Sequence, residues 1–332
     1  MTREHGRMRT GLRALLRLWT YRDLRAAGVN RREIAARLES GTLRRCAPGW
    51  YAEAGAPADV TAALRRGNRL TCVPALKHYG VWVVHSPGLH EIGRRMTSAA
   101  LVPASDDSPV HTHGRLEAWP DDEPIMPLLV ALEHAAACVP VEDLAIMLDS
   151  VANRGLAHPD DLEELLLRLP QKVRRAIGTI EKRAESGTET RVRRHLQKLR
   201  VKLGVQVRIA GVGRVDLLVG EKLIIECDSR QFHTSDDTYH EDRRRDREAV
   251  LRGYVVVRLT WRDVMLDWES TSSYLTDLVR HEIHRAPRMR RAGRVESRPR
   301  LRTQPSLRAR VDIPRRVLGT SAATAPGRAG RD

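Results

Sequence analysis

The sequence predicts a mixed α/β protein, α+β in the way its elements segregate. Three observations predict it. A helix, tight turn, second helix and short hairpin occupy the first 55 residues. A helical stretch runs through the middle. Between Ser186 and His284 the order is helix, three strands, helix, strand, helix, which describes a mixed sheet flanked by helices. The expected regions are residues 1–55, a mixed and helical connector over 56–180, a sheet domain over 181–284 and a disordered basic tail over 285–332.

Composition sets the bounds. The 332 residues are 41% hydrophobic, enough for real cores, but 4% aromatic with a single Phe, so Leu, Val, Ile and Ala must fill them. Of the net charge of +16, +11 lies between Arg285 and Asp332, a stretch without apolar periodicity. Such a tail is a sequence-independent contact for nucleic acid phosphates. No apolar run is long enough to span a bilayer, so no membrane partner is expected. Cys46, Cys72, Cys138 and Cys227 are scattered, without zinc-site or disulfide-framework spacing, which fits a reducing cytoplasm.

In the first region Leu12, Leu15, Leu16 and Trp19 have helical spacing, and Tyr21–Ala27 is a second short helix ended by Gly28. Asn30 is the N-cap of the next helix, and Glu33 stands three residues on, approximating a capping box. Gly41 ends that helix. Leu43–Cys46 and Trp50–Ala52, joined through Pro48–Gly49, form a two-stranded wing. This is a winged helix-turn-helix layout, offering Arg31, Arg32 and Arg37 to a DNA groove, with Arg44 and Arg45 on the wing. The competing reading is a small helical domain with a solvated basic face.

In the connector, Thr71–Leu76 reads as a helix, and Val81–His85 and Val110–His113 as strands. His111 and His113 share a strand face, a metal pair in principle. No third ligand is evident, which favours ordinary strand histidines. Helical faces follow from Pro127 to Leu169, with no chemistry apparent in them.

Ser186 and Glu189 open a helix with Val192, Leu196, Leu199 and Leu203 on one face. Glu189 falls on the core side, as a site acid or simply as half of a capping box. Strands follow over Val205–Ile209, Arg214–Val219 and Lys222–Asp228. A charged helix covers Tyr239–Arg252, a strand Tyr254–Thr260 and a last helix Trp261–His284. Alternation sets Asp216 beside Leu218 on one face, and Ile224, Glu226 and Asp228 on one face of the next strand. Strand interiors disfavour carboxylates, and an unpaired buried one is costly. If these strands pair, Asp216 and Glu226 reach one metal. An all-oxygen donor set of this kind suits Mg²⁺ or Mn²⁺.

Two resemblances sharpen these readings. The stretch DLRAAGVNRREIAARLESGTLRRCAPGWYA, within a match of some 45 residues, resembles the N-terminal winged helix of AbiEi-type antitoxins of toxin–antitoxin systems. In that family it is associated with promoter binding, and a cognate toxin is the implied partner. Ser186 to Leu278 resembles the PD-(D/E)XK (restriction-endonuclease-like) nuclease superfamily, in the branch of the very short patch repair (Vsr) endonuclease. The segments SGTE, GRVDLLV, LIIECDSRQFH, DRRRD and GYVVVRLT carry this resemblance. It implies Asp216 and Glu226 as the metal acids, Glu189 as a supporting helix acid, and Asp242, Arg245 and Asp246 as the DxxRD pattern.

The chain also departs from that pattern. Asp228 stands where the superfamily has Lys, and Ser229 where the branch commonly has Gly. The zinc ligands of the repair enzyme have no evident counterpart. His233, or an Arg among Arg243, Arg245 and Arg247, is the substitute cation expected for the missing Lys. His233 is also a general-acid candidate, and His240 a weaker one. Asp246 reads otherwise as part of a charged helix surface. Arg258 is either a phosphate contact or the partner of a sheet acid.

The expected function is a metal-dependent DNA endonuclease, with Asp216, Glu226 and Asp228 as metal ligands. The alternative is a non-catalytic DNA-binding regulator of antitoxin type whose nuclease fold is degenerate. A third reading is a structural module of a defence complex.

Overall fold

The computed structural model describes residues 11–93, 100–103, 109–114, 119–120, 122–228 and 236–286. Ser229, His233 and the arginine-rich tail from residue 287 lie outside the described residues. The chain is a mixed α/β structure with three small sheets among those residues.

A helix over 11–16 (α1) ends at Arg17, whose φ of 55° closes it. Trp19, expected on this helix, instead lies in strand β1 (Leu18–Thr20). Thr20 caps α2 (Tyr21–Ala26) in a full capping box with Asp23. Gly28, at φ 84°, makes the turn into α3 (Arg31–Glu39). Asn30 accepts the Glu33 N–H at 2.9 Å, a cap worth about 1 kcal/mol. The reciprocal half of the expected box is absent, because the Glu33 carboxylate takes Arg37 at 2.5 Å. Strands β2 (Leu43–Ala47) and β3 (Trp50–Glu53) pair as expected, and β1 adds to β3 as a third antiparallel strand.

Next come α4 (Ala58–Arg65), β4 (Asn68–Leu70) and α5 (Cys72–His78). Val81–His85 is not the expected strand but an irregular connector. Its backbone bonds go elsewhere: the Trp82 N–H donates to Ser150 Oγ at 2.9 Å and the Val81 N–H to the Leu76 carbonyl. Strands β5 (Leu89–Gly93), β6 (Ala100–Pro103) and β7 (Pro109–Thr112) join β4 in a mixed sheet of order β4-β5-β7-β6. Three of these strands are too short and too broken by Gly, Pro and polar residues to announce themselves by alternation.

The helices α6 (Leu128–Cys138), α7 (Val141–Asn153) and α8 (Pro159–Arg168) follow the expected apolar faces, and α9 (Gln171–Ile177) is a further helix beyond them. Leu12, Leu18 and Trp50 share one core with Leu76, Leu132, Met147 and Leu165.

The sheet region starts with α10 (Gly187–Lys198). Leu203, expected on this helix, begins β8 (Leu203–Ile209), because Arg200 at φ 56° turns the chain out. Next are β9 (Gly213–Val219), β10 (Leu223–Asp228), α11 (Asp236–Leu251) and β11 (Val255–Thr260). The order is β11-β10-β9-β8, parallel between β10 and β11 and antiparallel elsewhere. The expected last helix is two, α12 (Trp261–Met265) and α13 (Trp268–Arg280). A Thr260–Asp263 capping box starts the first. The Leu266 and Asp267 N–H groups both fold back on the Arg262 carbonyl, which ends it.

Helix α10 packs Val192 and Leu196 against Val205, Leu217, Ile225 and Leu275. Its Arg193 forms a fully buried ion pair with Asp149 of α7 at 2.7 Å. Asp149 also accepts the Thr190 hydroxyl at 2.9 Å and the Glu181 N–H at 2.8 Å. With those extra bonds the pair tolerates burial, whereas removing one partner would leave a bare charge.

Candidate functional site: an acidic opening in the sheet

The backbone ladder between β9 and β10 runs from Leu223↔Val219 to Ile225↔Leu217 and stops one residue short of Asp216 and Glu226. β10 meanwhile continues beside β11 as far as Asp228↔Thr260. The two strands therefore part at the acids, and side chains satisfy the backbone groups released there. The Asp216 N–H donates to Glu226 Oε2 at 3.1 Å, and the Cys227 N–H donates to Asp216 Oδ2 at 2.8 Å.

The other edge of β9 is also irregular. Gln206 in β8 has φ 52°, a left-handed conformation that is uncommon for a non-glycine residue. Pairing with β9 passes from Val205↔Leu217 to Val207↔Val215, with no backbone pair between Gln206 and Asp216. The apolar residues change face at this point. Val205 and Leu217 pack under α10, whereas Val207, Ile209 and Val215 pack with Ile224 and Ala249 of α11. Strict alternation, which set Asp216 beside Leu218, therefore breaks at Asp216: the left-handed backbone at Gln206 interrupts the pairing without shifting its register.

The break aims Gln206 at two carboxylates. Its Nε2 donates to Glu189 Oε2 at 2.9 Å and to Asp216 Oδ1 at 3.0 Å. The Gln206 amide oxygen is buried without a hydrogen-bond partner among the described residues. Gln206 was not among the expected site residues. Its only sequence signal is a polar residue inside an apolar strand.

Glu189 is buried at the start of α10. Ser186 caps that helix through the Glu189 N–H, at 3.1 Å. The Glu189 carboxylate does not complete a capping box. It accepts the Ser186 hydroxyl, the Glu185 N–H and Gln206, and so faces the sheet. Burial raises the Glu189 pKa, and the Asp216 charge adds to it. Glu226 is pushed up to about 7, by burial first and then by Asp216. Cys227, sealed beneath the acids, has its thiol pushed well up by burial and by their charge. Asp228 is exposed at the end of β10.

Basic residues line the rim. Arg245 of α11 donates to the carbonyls of Val212 (3.1 Å) and Arg214 and reaches Glu226 Oε1 at 3.3 Å, clasping the helix to β9. Arg258, next to Glu226 on β11, pairs with the helix acid Asp246 at 2.7 Å rather than with a sheet acid. Arg243 also stands 3.7 Å from Asp246. His240 and Asp242 fall on α11, but their side chains lie outside the described residues.

In the N-terminal region Arg31, Arg32, Arg44 and Arg45 are exposed, and Arg37 is half-buried against Glu33. Arg31 donates to the Tyr21 hydroxyl at 3.0 Å, and Arg45 lies over the Tyr51 ring.

Among the described residues no helix is long and apolar enough to cross a membrane. No protein-family model, curated protein or solved structure matches the chain at a significant level.

Proposed function

We propose that the chain is a metal-dependent DNA endonuclease whose reaction centre is the opening between β9 and β10. The observation that carries this reading is Glu226. A glutamate with its pKa raised to about 7 beside a second and a third carboxylate is a site with surplus negative charge. A cation relieves that charge. The donors are carboxylate oxygens, which fit Mg²⁺ or Mn²⁺. Asp216 and Glu226 would hold the ion, with exposed Asp228 as a further ligand. Bound there, it would supply Lewis acidity toward a phosphodiester and acidify a water.

The residues themselves have distinct tasks. The Cys227 N–H and the Gln206 amide orient Asp216. Glu189, kept proton-loving by burial, is suited to hold a proton released near it. Arg245 and Arg258 lend positive charge on the phosphate side, both already anchored by protein partners. Gln206, donating to two of the carboxylates, would supply polar support at a site where the resemblance expects a lysine in place of Asp228. The exposed arginines of α3 and β2, in a winged-helix reading of that region, would bring DNA to the site.

Cleavage of a supercoiled plasmid tests this. Wild type with Mg²⁺ or Mn²⁺ should nick or linearise it, while EDTA or the Asp216→Ala/Glu226→Ala variant should abolish cutting. Equal cutting by that variant overturns the assignment.

The second reading is a non-catalytic DNA-binding regulator of antitoxin type, with a toxin as partner. What favours it is that Glu189, Asp216 and Glu226 do not converge on one point as a closed three-ligand cage. It predicts gel retardation of DNA that is indifferent to metal, with no cleavage.

A further inference from the structure

Away from the acidic opening, four side chains converge from widely separated stretches of sequence. Cys72 opens α5, His90 is in β5, His113 directly follows β7, and Cys138 ends α6. One potential ligand atom from each lies within 4.8 Å of all the others. His90 Nδ1 stands 3.1 Å from His113 Nε2, and Cys138 Sγ 3.8 Å from the same nitrogen. His113 and two of the four scattered cysteines thus have potential ligand partners that their spacing in sequence does not announce. Neighbours in space supply the ligands that neighbours in sequence do not.

The backbone builds the cluster deliberately. The Thr71 N–H donates to the His90 carbonyl, drawing the start of α5 onto β5, and the His113 N–H donates to the Glu91 carbonyl. Cys72 takes φ 55°, a conformation that L-residues rarely adopt and that surrounding structure must enforce. Cys72 is fully buried, and His90 and His113 are each 5% exposed. His134 stacks on the His113 ring at 4.4 Å, and its Nδ1 bonds Thr71 Oγ1 at 2.7 Å, fixing the wall of the site. The adjacent acid, Glu91, is not part of the cluster, because Arg66 and Asn68 hold its carboxylate. His111 lies alongside, its ring tilted against His90 with centroids 4.6 Å apart, and stays outside the ligand set.

We infer that Cys72, His90, His113 and Cys138 form a structural Zn²⁺ site that ties the β4–β7 sheet to α5 and α6. Two thiolates and two imidazoles are a zinc donor set, and thiolate softness selects against Mg²⁺. Tetrahedral bonds of ordinary Zn–N and Zn–S length put ligand atoms about 3.3–3.8 Å apart, the range these pairs bracket. Two thiolates also cancel the ion's charge, so the buried complex is neutral. Without a metal, the two facing imidazole nitrogens share one proton at best. With four protein ligands and no open position, the role is to hold the fold.

Metal analysis of the full chain tests this. Protein purified without chelator should carry about one zinc per chain. After removal of zinc, titration with Co²⁺ should give the intense visible bands and sulfur-to-metal charge transfer of tetrahedral S₂N₂ coordination. Cys72→Ser/Cys138→Ser should lose the metal and the bands, while Asp216→Ala should keep both. Folded wild type without zinc and without cobalt bands overturns the site. So does a Cys72→Ser/Cys138→Ser variant that retains one zinc. If that variant does not fold, the wild-type zinc content and cobalt spectrum decide alone.

Discussion

Asp216 and Glu226 hold each other across a gap in the sheet. The N–H of Asp216 donates to the Glu226 carboxylate at 3.1 Å, and the Asp216 carboxylate accepts the N–H of Cys227, the residue after Glu226. Where two strands would continue their ladder, two acids have replaced it. Like charges brought this close are costly, and part of the cost appears as the raised pKa of Glu226.

That pKa sets a pH dependence. Glu226 moves from an ordinary 4.5 to about 7 on folding, so the folded state binds its proton more tightly. The resulting stabilisation, on the order of 3 kcal/mol, is complete below pH 4.5 and is lost as pH rises through 7. Metal-free protein should therefore lose stability across that window. Mg²⁺ competes with the proton, so its stabilising effect should be larger at pH 8 than at pH 5.5. Thermal melts with Mg²⁺ or EDTA at both values check this; an equal Mg²⁺ effect at the two would contradict it.

Gln206 bridges Glu189 and Asp216, so Gln206→Ala should cost about 1–3 kcal/mol, and more at pH 8 than at pH 5, where Glu189, its pKa raised by burial, is less charged. Gln206→Gly loses the same bonds but relieves the left-handed backbone. It should be more stable than the Ala variant by roughly 1 kcal/mol. Urea unfolding of the pair measures the difference, and a Gly variant no better than Ala would deny the strain.

Gly187 has a packing role. A Cβ there would sit 2.1–2.6 Å from atoms of the Trp82 ring. Gly187→Ala must push Trp82 out of its seat beneath the N-terminus of α10, at about 1–3 kcal/mol. It should also disturb Glu189 two residues on. Trp fluorescence and a denaturation curve read both effects, and unchanged stability would rule out the close packing.

The exposed arginines make a salt prediction. If Arg32 of α3 and Arg44 of β2 contact phosphates, Arg32→Ala/Arg44→Ala weakens DNA binding for all sequences alike. It also lowers the slope of log K against log salt by roughly 2. An unchanged slope would place the DNA elsewhere on the protein.

Much of this protein is written locally. The Asn30 cap, the Gly28 turn and the strand order through Asp216 and Glu226 follow from interactions spanning a few residues, which periodicity and turn chemistry express directly. The features that shape the two sites do not. Gln206 reaches Asp216 where its left-handed backbone interrupts the β8–β9 pairing, and Trp82 abandons a strand to fill the space over Gly187. Cys72, His90, His113 and Cys138 meet only after a sheet and two helices have packed. The last two depend on chain segments far apart in sequence, whose juxtaposition is set by burial of the whole core. Sequence by itself determined which acids exist and on which strands; the tertiary structure decided how far those strands part and which distant side chains fill the opening.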